Sequence, residues 1–360
     1  MASVFQFAPK PASLLGYHRV LSPSAGVKVS PLCLGAMNFG TAWKDFMGEC
    51  DKEQSFKLLD AFYDLGGNFI DTANNYQDEE SEIWLGEWMQ ARKNRDQLVI
   101  ATKYTTGFRS AHRTTEPLQS NYVGNSVKSM RISVENSLKK LQTDYIDLLY
   151  VHWWDFTTSV EEVMQGLNAL VNAGKVLYLG ISDTPAWVVV KANAYAVANG
   201  LRPFSNMAIA PWAPLGQGKF KSAKTRQEGE QGSARASSIN EHDVKISEAL
   251  EKIADQKKTS LHAIALAYVL HKAPYVFPII GQRKVEHLKA NVESLSVSLS
   301  ENDLAEIDNA APFDVGFPMA FIFRDGYSST KTAAEVFLTK TAAHIDVPPH
   351  LSPVRPRSDS

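Results

Sequence analysis

Only two cysteines occur in the chain, Cys33 and Cys50. They make no disulfide framework and lack the spacing of a metal site, so a reducing compartment and no metal centre are expected. No apolar run approaches the ~20 residues that cross a bilayer. The start, Met1 to Leu15, has no basic segment followed by an apolar core, so it does not read as a secretory signal. Charge of one sign is missing as well. A net charge of −2 offers no field for nucleic acid or an anionic membrane. The first apolar strand is followed by no Gly-rich turn, which argues against a doubly wound dinucleotide fold. A cytoplasmic protein acting on a small molecule is the expectation, with its oligomeric state open. What is present is 44% hydrophobic residues over 360 positions, enough to bury one large α/β core.

Residues 17–21 and 27–30 flank Ser22-Pro23-Ser24-Ala25-Gly26, a hairpin signal. Apolar strands and amphipathic helices then alternate. Strands are expected at 32–37, 68–71, 98–103, 146–151 and 176–181, and helices at 52–65, 79–92, 122–141, 160–173 and 185–199. This order implies a parallel sheet with crossover helices. Helices follow at 244–257 and 260–271, and strand character returns near residues 209 and 278.

Four residues that carry chemistry sit at or just past strand ends. Asp71 closes Asn68-Phe69-Ile70, and Tyr76 follows five residues later. Lys103 closes the run Leu98 to Thr102, and His152 closes Ile146 to Val151. Each has an ordinary reading in packing or in a solvated edge. Together they can move a proton at a carbonyl. A phenol has an unperturbed pKa of about 10, and an adjacent ammonium favours its ionised form. Asp71 would hold the Lys103 ammonium, and His152 would orient the carbonyl oxygen. Function at successive strand ends suits a (β/α)8 barrel of the TIM type.

This set resembles the catalytic tetrad of the aldo-keto reductases. The resemblance continues through Leu34 to Gly40, Gly174 to Ser182 and Ala210 to Gly216, spans residues 15 to 310, and is nearest to the fungal aryl-alcohol dehydrogenase and norsolorinic acid reductase branch. It implies NADPH-dependent reduction of aryl aldehydes or polyketide-type ketones, reversible as an aryl-alcohol dehydrogenase, in fungal secondary metabolism. The alternative is a non-catalytic cofactor-binding or regulatory relative, or an inactive truncated form. Residues 1–310 would form the barrel domain and 311–360 a tail, with a substrate loop at 311–330 and a disordered end.

By the same resemblance, Asp71, Ser182, Asp183, Trp212 and Ala213 would line the nicotinamide end of an extended NADP. Asp183 stands where the family has Asn, and Trp212 where it has a stacking Tyr. Pro214, Leu215, Gly216, Gln217, Gly218 and Lys219 form a loop that lets backbone approach a pyrophosphate. After the last strand come Gly281, Gln282, Arg283, Lys284, His287 and Asn291, at a helix start that favours phosphate. Arg283 and Lys284 suit a 2′-phosphate and so NADP over NAD. His287 and Ala290 replace the Arg and Glu that the family often carries there. The plain alternatives are a core Trp, an ordinary turn and a solvated basic helix start. His152, Trp43 and Trp153 are the expected substrate residues. Phe46, Trp154, Phe313, Phe317, Phe321, Phe323 and Tyr327 are further candidate walls, or mere cover.

The strand count is short. Strand centres fall near 34, 70, 100, 148, 179, 209 and 278, one fewer than a barrel of eight. Arg202-Pro203-Phe204-Ser205 resembles the run into the family's sixth strand, and Asn206 to Trp212 resembles its seventh. A strand–helix unit of about 25 residues is therefore missing between Ser205 and Asn206, together with the cofactor-facing Gln that the resemblance places on it. The seventh strand is expected to pair directly beside the fifth.

Overall fold

The computed structural model describes residue 4 and residues 6–205, 208–227, 239–316, 318–323, 336–337, 341 and 351–357. Chain contacts divide these into two compact units.

The first unit carries the sheet. A hairpin of β1 (Arg19–Ser22) and β2 (Ala25–Val29) turns on two residues rather than five, because Ser22 already pairs with Ala25. Then come β3 (Cys33–Gly35), α1 (Lys44–Met47), α2 (Lys52–Asp64), β4 (Phe69–Asp71), α3 (Glu80–Arg92), β5 (Val99–Tyr104), α4 (Val127–Leu141), β6 (Ile146–Val151), α5 (Val160–Asn172), β7 (Val176–Ile181) and α6 (Ala186–Ala198). Ser126 caps α4 by accepting from the Ser129 N–H. The helix therefore starts at 127 and not at 122, and Asn125 is left outside it, with its side chain bound to Thr105, Trp153 and Asp155.

The second unit is helical: α7 (Ala223–Gln227), α8 (Glu241–Lys257) and α9 (Leu261–Lys272) lie within it. The chain then returns to the first unit for β8 (Ile279–Ile280) and most of α10 (Val285–Glu293), and ends in the second with α11 (Glu301–Ala310) and α12 (Met319–Phe323). Leu250, Ile253, Ile264, Leu299, Leu304 and Ile307 form the core of the helical unit.

The sheet is parallel, in the order β7-β6-β5-β4-β3-β8. Consecutive strands are neighbours, and the last strand returns to the first. That is the order of a barrel-type α/β fold and not of a doubly wound sheet. The strand expected around residue 209 is not formed as one. The Ser205 N–H bonds the Leu179 carbonyl of β7, whereas the carbonyls of Ile209 and Pro211 accept from Phe277 and Ile279. One short segment thus reaches from β7 towards β8, and residues 209–211 bond beside the last strand rather than beside the fifth. Pro211 has no N–H to give to a ladder on its other side. Asn206 lies outside the described residues.

Burial follows this topology. Every residue of β4 and β5 is buried, and Tyr150 is the one half-buried residue of β6. In β7 only Val176 and Leu179 are buried.

Candidate active site

Backbone bonds carry the ladder past the named strands. Thr72, Asn74, His152 and Ser182 each donate from N–H to the carbonyl of Ala101, Lys103, Tyr104 or Val151 on the preceding or following strand. These bonds hold the strand-end residues in register. Asp71 ends β4, Lys103 lies near the end of β5, and His152 follows β6.

Lys103 Nζ lies 2.6 Å from Asp71 Oδ1 and donates to the Thr72 carbonyl at 2.7 Å and to the Tyr76 hydroxyl at 3.3 Å. Asp71, Tyr76 and Lys103 are all buried. The Tyr76 and His152 rings meet edge to face at 5.9 Å, and the Trp43 ring also meets Tyr76 edge to face, at 6.3 Å. The structure therefore brings the four tetrad candidates together, with Trp43 beside them.

Burial sets the charges. It lowers the imidazole of His152 to about 3, with the Lys103 ammonium adding to the effect, so the ring is neutral at ordinary pH. It raises the Tyr76 phenol, and the Lys103 ammonium only partly opposes that. The sequence argument expected the ammonium to win. Desolvation of a phenolate in a closed site outweighs it here. Burial alone would lower the Lys103 ammonium, but the neighbouring Asp71 and Tyr76 more than reverse that and keep it charged.

Tyr76 is followed by three consecutive left-handed residues, Gln77 (φ 52°), Asp78 (φ 49°) and Glu79 (φ 84°). None is glycine, and such a conformation costs about 1–2 kcal/mol per residue. Side-chain bonds hold the turn in place. The Gln77 amide accepts from the Trp43 N–H at 2.7 Å and donates to the Met37 carbonyl at 3.1 Å. The Trp43 indole donates to Asp78 at 3.0 Å, and Glu79 pairs with Arg109 and Lys140. Lys140 also bonds the Asn74 carbonyl, in the same loop. The sequence offers no signal for this turn, which lacks the glycine that usually announces positive φ.

The remaining candidates are less gathered. The Ser182 hydroxyl donates to the neighbouring Asp183 carboxylate, which sits at φ 42°. Trp212 is 59% exposed, and Ala213 has φ 53°. Gln282 is buried, its carbonyl accepts from Asn38, and its Nε2 has no partner among the described residues. Asn291 reaches its Oε1 at 3.4 Å. Gly281 begins this run and His287 lies on α10. The Arg283 guanidinium lies against Gly48, whose backbone is left-handed (φ 76°) and has no room there for a Cβ. Pro214 to Lys219 belong to the helical unit. Within it, Gly216, Gln217 and Gly218 form another left-handed turn, Leu215 packs on the helical core, and Lys219 pairs with Asp243 at 3.5 Å.

Of the aromatic walls, Trp153 is half-buried next to His152, but Trp154 is a core residue packed with Val151, Val160 and Leu179. Phe46 is 60% exposed. Phe313 and Phe321 are exposed within the second unit, where Phe323 ends α12. Phe317, Tyr327 and most of the tail end lie outside the described residues.

A sequence model of the aldo/keto reductase family matches residues 31–200 and 196–312. The chain belongs to this family. Norsolorinic acid reductase A of Aspergillus parasiticus is 52% identical over 380 residues, covering 98% of this chain and 97% of the relative. Norsolorinic acid reductase B of Dothistroma septosporum is 49% identical, covering 92% of each chain. The aryl-alcohol dehydrogenase [NADP(+)] of Phanerodontia chrysosporium is 47% identical over 385 residues, covering 97% of this chain and 98% of its own. Aligned stretches longer than this 360-residue aldo/keto reductase mean that the relatives carry residues it lacks. The family match breaks in two near residue 200, beside the short segment that follows α6. As a member of the family, the chain is an oxidoreductase.

Proposed function

We propose that this aldo/keto reductase catalyses the NADPH-dependent reduction of aryl aldehydes or polyketide-type ketones to alcohols, reversibly, in fungal secondary metabolism. The observation that carries the proposal is the buried Lys103 ammonium shared between the Asp71 carboxylate and the Tyr76 hydroxyl, with His152 across the phenol. The phenol is protonated at neutral pH and can give its proton to an oxygen that gains charge. The ammonium beside it stabilises the phenolate left behind, and Asp71 keeps that ammonium charged and in place. The neutral imidazole can donate a hydrogen bond to the carbonyl oxygen without competing for the proton. A bound nicotinamide cofactor supplies the hydride.

The residues fit such a cofactor. The buried Gln282 amide, whose Nε2 has no partner among the described residues, with Asn291 on its Oε1 and Arg283 next in the chain, suits the adenosine end. At the other end Asp183 accepts a hydrogen bond from the Ser182 hydroxyl, so the pair offers acceptors to a carboxamide NH2. The NADP(+) in one relative's name agrees with this choice. Trp43 and Trp153 beside the tetrad favour a flat aryl substrate.

Tyr76→Phe tests the reading. Aryl-aldehyde turnover should fall roughly 10²–10⁴-fold, with NADPH affinity unchanged. Turnover above half that of the unaltered protein would refute the role of Tyr76. The second reading, a non-catalytic or inactive form, is favoured by one observation, the exposed apolar side chains of β7 and α6. NADPH binding without turnover of any aryl aldehyde would select it.

A further inference from the structure

We propose that Thr106 is a positioning residue for His152. Its hydroxyl, held by the Trp153 indole, fixes the imidazole in the tautomer that carries the proton on Nε2. Thr106 Oγ1 lies 3.0 Å from Trp153 Nε1 and 3.3 Å from His152 Nδ1. An indole N–H can only donate, so the Thr106 oxygen accepts from Trp153. The hydroxyl has one hydrogen, and His152 Nδ1 is the acceptor within reach. Were Nδ1 protonated, the Thr106 oxygen would accept twice and its own hydrogen would go unused. The arrangement that uses the hydroxyl hydrogen within this group has an unprotonated Nδ1 and a protonated Nε2, the nitrogen that can then donate to a carbonyl oxygen.

The relay is anchored at both ends. The buried Asn125 amide donates to the Trp153 carbonyl at 3.0 Å and to the Thr105 hydroxyl at 2.9 Å. Thr105 sits at φ 113°, a strained conformation for a β-branched residue, and its carbonyl accepts from Gly124. Strain of this kind persists only where the surroundings over-determine it, and here it fixes the residue before Thr106. Trp153 thus has a role besides facing substrate: by donating to one of the two Thr106 lone pairs it orients the hydroxyl so that its hydrogen can point at the imidazole.

For its kinetic consequence the inference rests on the reductase reading, but its spectroscopic consequence does not. The test is 15N NMR of the full chain, with His152 assigned by a His152→Ala spectrum, alongside aryl-aldehyde kinetics. In the unaltered protein the Nε2 shift should be that of a protonated nitrogen and the Nδ1 shift that of a bare one. Thr106→Val, nearly isosteric, should mix the tautomers. It should also lower kcat about tenfold, the worth of one oriented hydrogen bond, with the NADPH Kd unchanged. Thr106→Ser should restore both readouts. Trp153→Phe should loosen the tautomer preference while leaving Thr106 in place. A protonated Nδ1 in the unaltered protein, or a Thr106→Val spectrum identical to it, overturns the proposal. A tautomer change in a protein that never reduces an aryl aldehyde upholds the positioning role and rejects the reductase reading.

Discussion

The arc of sheet from β4 to β6 and the arc beyond β7 are built from similar sequences and have different surroundings. Both offer apolar strands followed by helices. Around β4, β5 and β6 nearly every strand residue is buried, with α3, α4 and α5 following in turn. Beyond them, Leu177 of β7 is 40% exposed, and on α6 Trp187, Val190 and Val197 are 66%, 68% and 71% exposed. Those three positions fall on one helical face at i, i+3 and i+10. An apolar face of this kind suits cover by a further helix, and the family match breaks in two close by. The tetrad stands on the covered arc. The exposed side chains lie on α6 and on β7, the strand that leads to Ser182 and Asp183, and not on the strands that carry Asp71 and Lys103 or lead to His152.

Breaking the covered arc should have the largest effect. Asp71→Asn leaves the buried Lys103 ammonium without its carboxylate. Removing one partner of a buried pair costs about 3–5 kcal/mol. The Lys103 pKa, now raised by Asp71 and Tyr76, should fall, and the phenolate should lose its support. Turnover should drop roughly 10²–10⁴-fold, and the melting temperature should fall as well. An Asp71→Asn protein with unchanged turnover would show that the pair is only structural.

Repairing the other arc is the converse test. Inserting a strand–helix unit of about 25 residues from a relative between Ser205 and Asn206 should raise both melting temperature and turnover. Each large apolar side chain re-covered contributes about 1.5–3 kcal/mol, and in a chain of this size 1 kcal/mol shifts the melting temperature by about 2 °C or less. A repaired protein that melts no higher than the original would mean that the short segment from Ser205 to Pro211 already satisfies the sheet.

The same division governs what could be read from residues alone. Asp71, Lys103 and His152 were legible because each ends an apolar run whose length marks a strand, and Tyr76 because it follows at loop distance. A deficit of length was legible between strand centres near 179 and 278, and the relatives do carry residues that this chain lacks. The side on which residues 209–211 bond was not legible, since that depends on which edge has free carbonyls and N–H groups within reach. The left-handed run Gln77–Glu79 left no glycine to mark it. Thr106 and Asn125 are ordinary polar loop residues until the fold places them against Trp153 and His152. The balance between burial and Lys103 at the Tyr76 phenol depends on desolvation, which a list of residue types does not contain.

A smaller effect separates cofactor choice from catalysis. Arg283→Ala should shrink a preference for NADPH over NADH by about tenfold or more, if one charge-assisted hydrogen bond to a 2′-phosphate is lost. Turnover at saturating cofactor should hold, because the Arg283 guanidinium lies against Gly48 and its carbonyl accepts from Gln54, away from the tetrad contacts of Lys103. Equal Kd values for the two cofactors in the unaltered protein would remove the assignment.

The smallest expected effect is also the sharpest probe of the uncovered arc. Trp187→Ser should change the stability of the protein as it stands by no more than about 0.5 kcal/mol, since the side chain is mostly in water. In the repaired protein the same substitution should cost about 3 kcal/mol or more, because a large aromatic would then be removed from beneath a packed helix. The difference between the two values is a coupling energy between Trp187 and the inserted unit, read from denaturant melts of four proteins. A coupling near zero would mean that the apolar face of α6 is not where the missing helix packs. A large one would place the inserted helix on the exposed face of Trp187, Val190 and Val197.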